Sequence, residues 1–202
     1  TTIFSDGVNG VSLSNTLGTG ANLMSINWAS NSQPDLRGVN LTGVSLWATG
    51  IGQSGALFDR TTTFSNGVVG AYLDDANLSN LDLSGVDFRG VMMCGVSGAV
   101  DFSHSNLTGA IFDHTTEFSE GGYGVDFSGT NLDLSNQDFS NMDSVGWPHG
   151  FKAVNLSSVN LSNANLTDVA FDKSTVFSDG TNAVDLNNTV GTGAVLRGDF
   201  AN

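Results

Sequence analysis

Few residues in this chain are of the types that do chemistry, and their spacing gives them little to do together. The histidines are His104, His114 and His149, and none stands in the His-Glu-x-x-His frame that sets two imidazoles on one helical face for zinc. Cys94 is the sole cysteine, which excludes an internal disulfide and a paired-thiolate metal site. No Gly-x-Ser-x-Gly frame marks a serine nucleophile. Asp74-Asp75 sets two carboxylates side by side, but the Gly-Gly-x-Gly-x-Asp nonapeptide of calcium β-rolls is missing. Gly18-Thr19-Gly20 and Gly191-Thr192-Gly193 lack the lysine and the strand-to-helix setting of a phosphate loop, and read as turns. The sequence therefore predicts a protein that is not an enzyme, with no catalytic residue, no metal ligand and no cofactor.

Stepping from side chains to the elements that would carry them, the dominant feature is a rule of five. Residues 71–95 read Ala71-Tyr72-Leu73-Asp74-Asp75, Ala76-Asn77-Leu78-Ser79-Asn80, Leu81-Asp82-Leu83-Ser84-Gly85, Val86-Asp87-Phe88-Arg89-Gly90 and Val91-Met92-Met93-Cys94-Gly95. Only the first and third places of each block need an interior. A strict five fits neither the helical period of about 3.6 nor the strand period of about 2. The chain must turn after every block, and coils that turn in one sense bury one another as a solenoid. The rule recurs at Val39-Asn40-Leu41 and Val44-Ser45-Leu46, and again from Val154-Asn155-Leu156 through Leu161 and Leu166 to Phe171. It breaks chiefly at 31–35, 96–99 and 140–153.

A longer interval overlies the short one. Phe4-Ser5-Asp6-Gly7, Phe64-Ser65-Asn66-Gly67, Phe118-Ser119-Glu120-Gly121, Trp147-Pro148-His149-Gly150 and Phe177-Ser178-Asp179-Gly180 are each followed nine residues after the aromatic by a central Leu or Phe. With degenerate copies at Ser32 and Met93, the spacing averages about 29 residues. Three copies are preceded by a step of six, Phe58 to Phe64, Phe112 to Phe118 and Phe171 to Phe177. Six and nine together restore a register of three blocks, so these places read as reshaped corners, with positive φ at the Gly. Residues 2–23 and 175–196 align without a gap, 15 of 22 identical. The whole of 1–202 is accordingly expected to be one solenoid, with end-to-end contact possible.

Acids outnumber bases 20 to 6, a formal charge of −14, which disfavours nucleic acid and anionic lipid as partners. No apolar run approaches the 18 or more residues of a transmembrane span. The chain does not begin with Met and reads as processed or trimmed. Asn40, Asn77, Asn106, Asn155, Asn160, Asn165 and Asn187 open Asn-x-Ser/Thr sequons, most of which fall out of the five-residue rule itself and say little about secretion.

Ala76-Asn77-Leu78 and Ala164-Asn165-Leu166, in consecutive tandem copies, resemble the signature of the pentapeptide-repeat family. The resemblance implies an all-β fold, a right-handed, four-sided β-helix with one pentapeptide to a side. The overlying interval keeps a three-sided coil of about 15 residues as an alternative. It also implies that Leu73, Leu78, Leu83, Phe88, Met93, Leu156, Leu161, Leu166 and Phe171 stack inward in columns. Trp47, Tyr72, Arg89 and Phe151 are expected to lie outside, as candidates for contact with a partner. The function expected is a scaffold that docks onto a protein partner or a multi-subunit complex. Relatives in the thylakoid lumen make that compartment, or an extracellular one, the favoured location over the cytoplasm, and admit a photosynthetic assembly. Some relatives inhibit DNA topoisomerases by resembling duplex DNA. Over ten coils at roughly 4.8 Å each, however, a duplex carries about 28 phosphates, twice the charge here. An ice- or glycan-binding face is a further alternative, although regular threonine ladders are not evident.

Overall fold

A block that turns every five residues leaves its backbone N–H and C=O groups pointing along the axis of the turning, where only another coil can satisfy them. In the computed structural model those partners are present. It describes residues 34–46, 56–73, 76–93, 100–120, 123–140, 151, 153–167, 169–172, 174–178, 181–189 and 195–197. Trp47, Asp74-Asp75, Cys94, His149, both Gly-Thr-Gly segments, the aligned residues 2–23 and residues 179–180 and 190–194 of their match lie outside the described residues.

The second residue of each block bridges to the second residue of a block one coil away, always in parallel. Ser45 pairs with Tyr72, Tyr72 with Met92 and Met92 with Glu117. A further ladder runs Asn77, Asp101, Asp126, Asn155, Val176, and others join Asp82 to Asn106, Asp87 to Ile111, and Asp133 to Asn160 to Asp185. At Tyr72 the geometry is typical: the Leu73 N–H donates to the Met92 carbonyl at 2.8 Å and the Met92 N–H to the Ala71 carbonyl at 3.0 Å. Extended backbone lasts only one to three residues between turns. The only named strands among the described residues are therefore very short: the antiparallel β1 (Ser119–Glu120) and β2 (Tyr123–Gly124), and the parallel β3 (Ala170–Asp172) and β4 (Val195–Arg197). The architecture is a β-helix solenoid.

The turns explain the fourth and fifth places of the block. The central residue's carbonyl accepts the N–H three residues on, as in Val86 to Leu83 at 3.2 Å and Val91 to Phe88 at 3.1 Å. The residue two after the centre has positive φ, 71° at Gly85, 59° at Asn80 and 57° at Asn163, the mark of a type II turn. Asn tolerates this left-handed region better than other side-chain-bearing residues. His104 at 60°, Ala153 at 56° and Ser158 at 76° occupy the same place, the last two without that aptitude.

The second place is explained as well. Its Asp or Asn accepts, through Oδ1, the N–H of the residue two on: Ser79 to Asn77 at 3.0 Å, Ser103 to Asp101 at 2.8 Å, Ser128 to Asp126 at 2.8 Å and Ser162 to Asn160 at 2.9 Å. Asp reaches its own backbone in this way and Glu does not. The acidity of the chain is largely this turn chemistry repeated.

First- and third-place side chains fill the interior. Leu73, Leu78, Leu83, Phe88, Met93, Leu156, Leu161, Leu166 and Phe171 are all buried. Phenylalanine rings run through the tube in contact, Phe64 with Phe88 at 5.3 Å, Phe88 with Phe112 at 4.9 Å and Phe102 with Phe127 at 5.5 Å, each stacked. Stacked or tilted rings at such separations add about 0.5–1.5 kcal/mol each beyond burial.

The longer interval has its own physical basis. Two of the three steps of six are turns closed by Asp: the Thr61 and Thr115 N–H groups donate to Asp59 and Asp113 Oδ1 at 2.8 Å. The next threonine, Thr62 or Thr116, donates its buried hydroxyl across to the carbonyl of Leu36 or Phe88, both at 3.0 Å. Thr175 does the same to Phe151 at 2.8 Å. The nine-residue steps carry small antiparallel excursions, bridged Ser65 to Gly70, Ser119 to Gly124 and Ser178 to Ala183. Gly67 in the first has φ of 88°. Just before these excursions, Thr63 pairs with Asn40, Glu117 with Met92 and Val176 with Asn155. These are three different ladders, so successive excursions leave the tube at different edges.

Candidate functional site

The outer wall is where this fold can act, since the interior is filled with hydrocarbon. Of the outward candidates, Tyr72 is 42% exposed, on the ladder between Ser45 and Met92. Arg89 is half-buried, its guanidinium held by Asp87 with Nη2 at 2.7 Å from Oδ2 and Nε at 3.1 Å from Oδ1. It also lies against the excursion at Gly67, where a Cβ would come within 2.8 Å of Nη2. Arg37 repeats the arrangement with Asp35 at 2.7 Å. The signal for both was in the sequence, Asp-Leu-Arg and Asp-Phe-Arg, with the arginine two places after a turn-forming Asp.

Phe151 does not lie outside. It is fully buried, its ring 5.1 Å from Phe118, 5.5 Å from Phe139 and 5.8 Å from Phe171. The expectation aligned Trp147 with Phe118, making Phe151 an extra. The structure instead gives Phe151 the central place in that column, and its carbonyl accepts the Thr175 hydroxyl as Phe88's accepts Thr116's.

On one side the second-place residues bond to one another across coils as well as to their own turns. Asn106 Nδ2 donates to Asp82 Oδ1 at 3.0 Å, and Asn131 Nδ2 to Asn106 Oδ1 at 3.0 Å and to Thr108 Oγ1 at 2.6 Å. Asn160 Nδ2 donates to Asp133 Oδ1 at 3.0 Å. The result is a row of amides, hydroxyls and carboxylates fixed at the coil spacing.

Two carboxylates of this wall are held ionised by the turns they close. The side-chain and backbone donors of Ser84 keep Asp82 below the usual carboxylate range, and the backbone and side chain of Ser140 do the same for Asp138. At Asp87 partial burial pushes upward, but the hydrogen bonds and charge of Arg89 prevail and the net shift is down. A general acid near neutral pH needs the reverse shift. His104 and His114 are exposed, and no group of three His, Cys, Asp or Glu among the described residues is arranged to hold a metal. No helix among the described residues is long and apolar enough to cross a membrane. What this wall offers is fixed charge and fixed hydrogen-bonding groups.

The sequence profile of the family described as pentapeptide repeats (8 copies) matches residues 69–97. No curated protein matches the chain. Among solved structures, a trypsin-treated variant of QnrB1, a plasmid-mediated fluoroquinolone resistance protein, is 14% identical, with a TM-score of 0.35, over 79% of this chain and 76% of that one. HetL, a pentapeptide-repeat protein involved in heterocyst differentiation regulation from the cyanobacterium Nostoc sp. strain PCC 7120, is 21% identical with a TM-score of 0.23. That likeness covers 87% of this chain and spans 57% of HetL.

Proposed function

We propose that this pentapeptide-repeat protein is a non-catalytic scaffold, a rigid β-helix that docks onto a protein partner or a larger complex. The observation that carries this reading is the commitment of the polar wall. Second-place Asp and Asn are bonded to their own turns, several to the next coil also, and Asp82 and Asp138 are held below the usual carboxylate range by their bonds to Ser84 and Ser140. Such a surface presents groups at fixed positions at little entropic cost on binding. Tyr72 is the aromatic on it that a partner would cover.

As part of the same reading, the coils are right-handed and four-sided, and the solenoid runs through 1–202. In support of four sides, Tyr72 and Met92 pair at an interval of 20 residues, four blocks, with Asn77, Asp82 and Asp87 each starting a further ladder between them. In further support, the parallel bridges join residues 20 to 29 apart, a longer interval than a coil of about 15 residues would give.

The test is intact-complex mass measurement after purification from native extract, with Tyr72→Ala alongside. A stable assembly that the variant weakens at unchanged melting temperature supports docking. A chain that emerges alone, or an assembly indifferent to Tyr72, sinks the reading as stated. The row of ionised carboxylates favours a second reading, mimicry of duplex DNA toward a topoisomerase. Inhibition of supercoiling by the purified chain would favour that over a general scaffold.

A further inference from the structure

The first excursion contains an Asn-Gly pair, Asn66-Gly67, on an exposed turn. Asn66 Oδ1 accepts two backbone N–H groups, from Val68 at 3.0 Å and Val69 at 2.8 Å. The repeat asparagines Asn77, Asn106 and Asn165 instead receive one backbone donor each, from two residues on, and are followed by a buried Leu. A carboxamide whose oxygen meets the N–H groups two and three residues on is folded back over the intervening peptide, which here is that of Gly67. The Gly67 N–H in turn donates to Ser65 Oγ at 2.9 Å, while the Ser65 hydroxyl hydrogen is engaged with the Arg89 carbonyl. Two donors on the carboxamide oxygen and a following nitrogen hydrogen-bonded to Ser65 are thus assembled on one turn.

We propose that Asn66 is a built-in site of self-modification, at which the chain converts its own asparagine to aspartate and isoaspartate using only water. Hydroxide from solvent takes the Gly67 N–H proton while the contact with Ser65 Oγ keeps that nitrogen in place, the nitrogen bonds to Asn66 Cγ, and the carbonyl electron pair moves onto Oδ1. The Val68 and Val69 N–H groups stabilise that oxygen as an oxyanion hole does. Return of the pair breaks the Cγ–Nδ2 bond, and the nitrogen leaves with a proton as ammonia, leaving a five-membered imide. Water then opens the imide at Cγ, giving aspartate, or at the main-chain carbonyl, giving isoaspartate. Glycine leaves the nitrogen unhindered, and its φ of 88° is one that other residues rarely adopt.

Aspartate followed by glycine is what the sequence itself carries at the corresponding places of the repeat, Asp6-Gly7 and Asp179-Gly180. Isoaspartate is not, because its extra backbone methylene would part Oδ1 from Val68 and Val69 and open the Ser65 to Gly70 bridge. The excursion would then carry a slow chemical clock at its tip.

The folded protein is incubated at neutral pH beside a synthetic peptide of residues 62–71, with ammonia release followed and isoaspartate located by peptide mapping. The expected result is conversion at Asn66 at least about tenfold faster in the folded chain than in the peptide, as preorganised donors would give. Asn66→Gln should abolish the signal, and Ser65→Ala should lower the rate toward the peptide's. A folded-chain rate equal to or below the peptide's overturns the proposal, as does a signal that survives Asn66→Gln. Should Ser65→Ala fail to fold, the comparison of unaltered chain with peptide decides alone.

Discussion

Ser158→Gly should make the protein more stable, an unusual direction for a glycine substitution. Ser158 follows Leu156 by two places, where the turn demands positive φ, and its φ is 76°. A side chain in that region costs about 1–2 kcal/mol. Its hydroxyl is moreover buried without a hydrogen-bond partner, a penalty of roughly 1–3 kcal/mol. Against these stands the freedom glycine returns to the unfolded chain, about 0.5–1 kcal/mol. The balance is a gain of about 1–4.5 kcal/mol, or roughly 3–13 °C in melting temperature for a chain of this size. Gly85→Ala is the mirror experiment. Its φ is 71°, and an added Cβ meets nothing within 4 Å, so backbone conformation alone should cost about 1–2 kcal/mol. Urea unfolding read by circular dichroism measures both, with the slope checked for constancy because repeat arrays can unfold in parts. A lower midpoint for Ser158→Gly, or no change for Gly85→Ala, would refute the fifth-place rule as the source of turn energetics.

Other consequences are direct. Thr116→Val keeps the shape but leaves the Phe88 carbonyl without its buried hydroxyl donor, and should lower stability by about 1–3 kcal/mol in the same urea assay. Phe151→Ala should cost about 3–5 kcal/mol as a core truncation, whereas Tyr72→Ala should leave the unfolding midpoint nearly unmoved. Equal effects in paired melts would contradict the burial of Phe151. Gly70→Ala would bring Cβ within 2.3 Å of the Val91 nitrogen and 2.4 Å of the Gly90 carbonyl carbon. Backbone cannot rotate away as a side chain can, so faster amide exchange around 64–73 and 88–93 is expected. The Asp87–Arg89 pair sets a pH dependence. Asp87 has its folded pKa below the usual 3.8, so its contribution is complete above that value and fades as pH falls through the lower folded one. Asp87→Asn should therefore flatten stability between pH 4 and the acid limit, as followed by melting temperature against pH, with an unchanged slope counting against the pair.

The rule of five, read from Ala71 to Gly95, determined the class of fold and the inward set, because a period that is neither helical nor extended has few ways to bury its first and third places. It also held, unread, the reasons for its other places: Asp or Asn in the second closes its own turn, and Gly or Asn in the fifth takes the left-handed bend. Asn80, Asn163 and the many Asp-x-Ser pairs were legible signals of both. What tertiary structure alone decided was which blocks stand beside each other. Phe151 shows why. Its distance along the chain from Trp147 and Phe118 fitted an exposed loop as well as a core ring, and only the stacking of Phe118, Phe151 and Phe171, coil upon coil, selects one. Register between coils rests on backbone bridges between residues 20 to 29 apart and on ring contacts such as Phe118 with Phe151, and the excursions change the count from coil to coil, so no spacing within a single block can specify it.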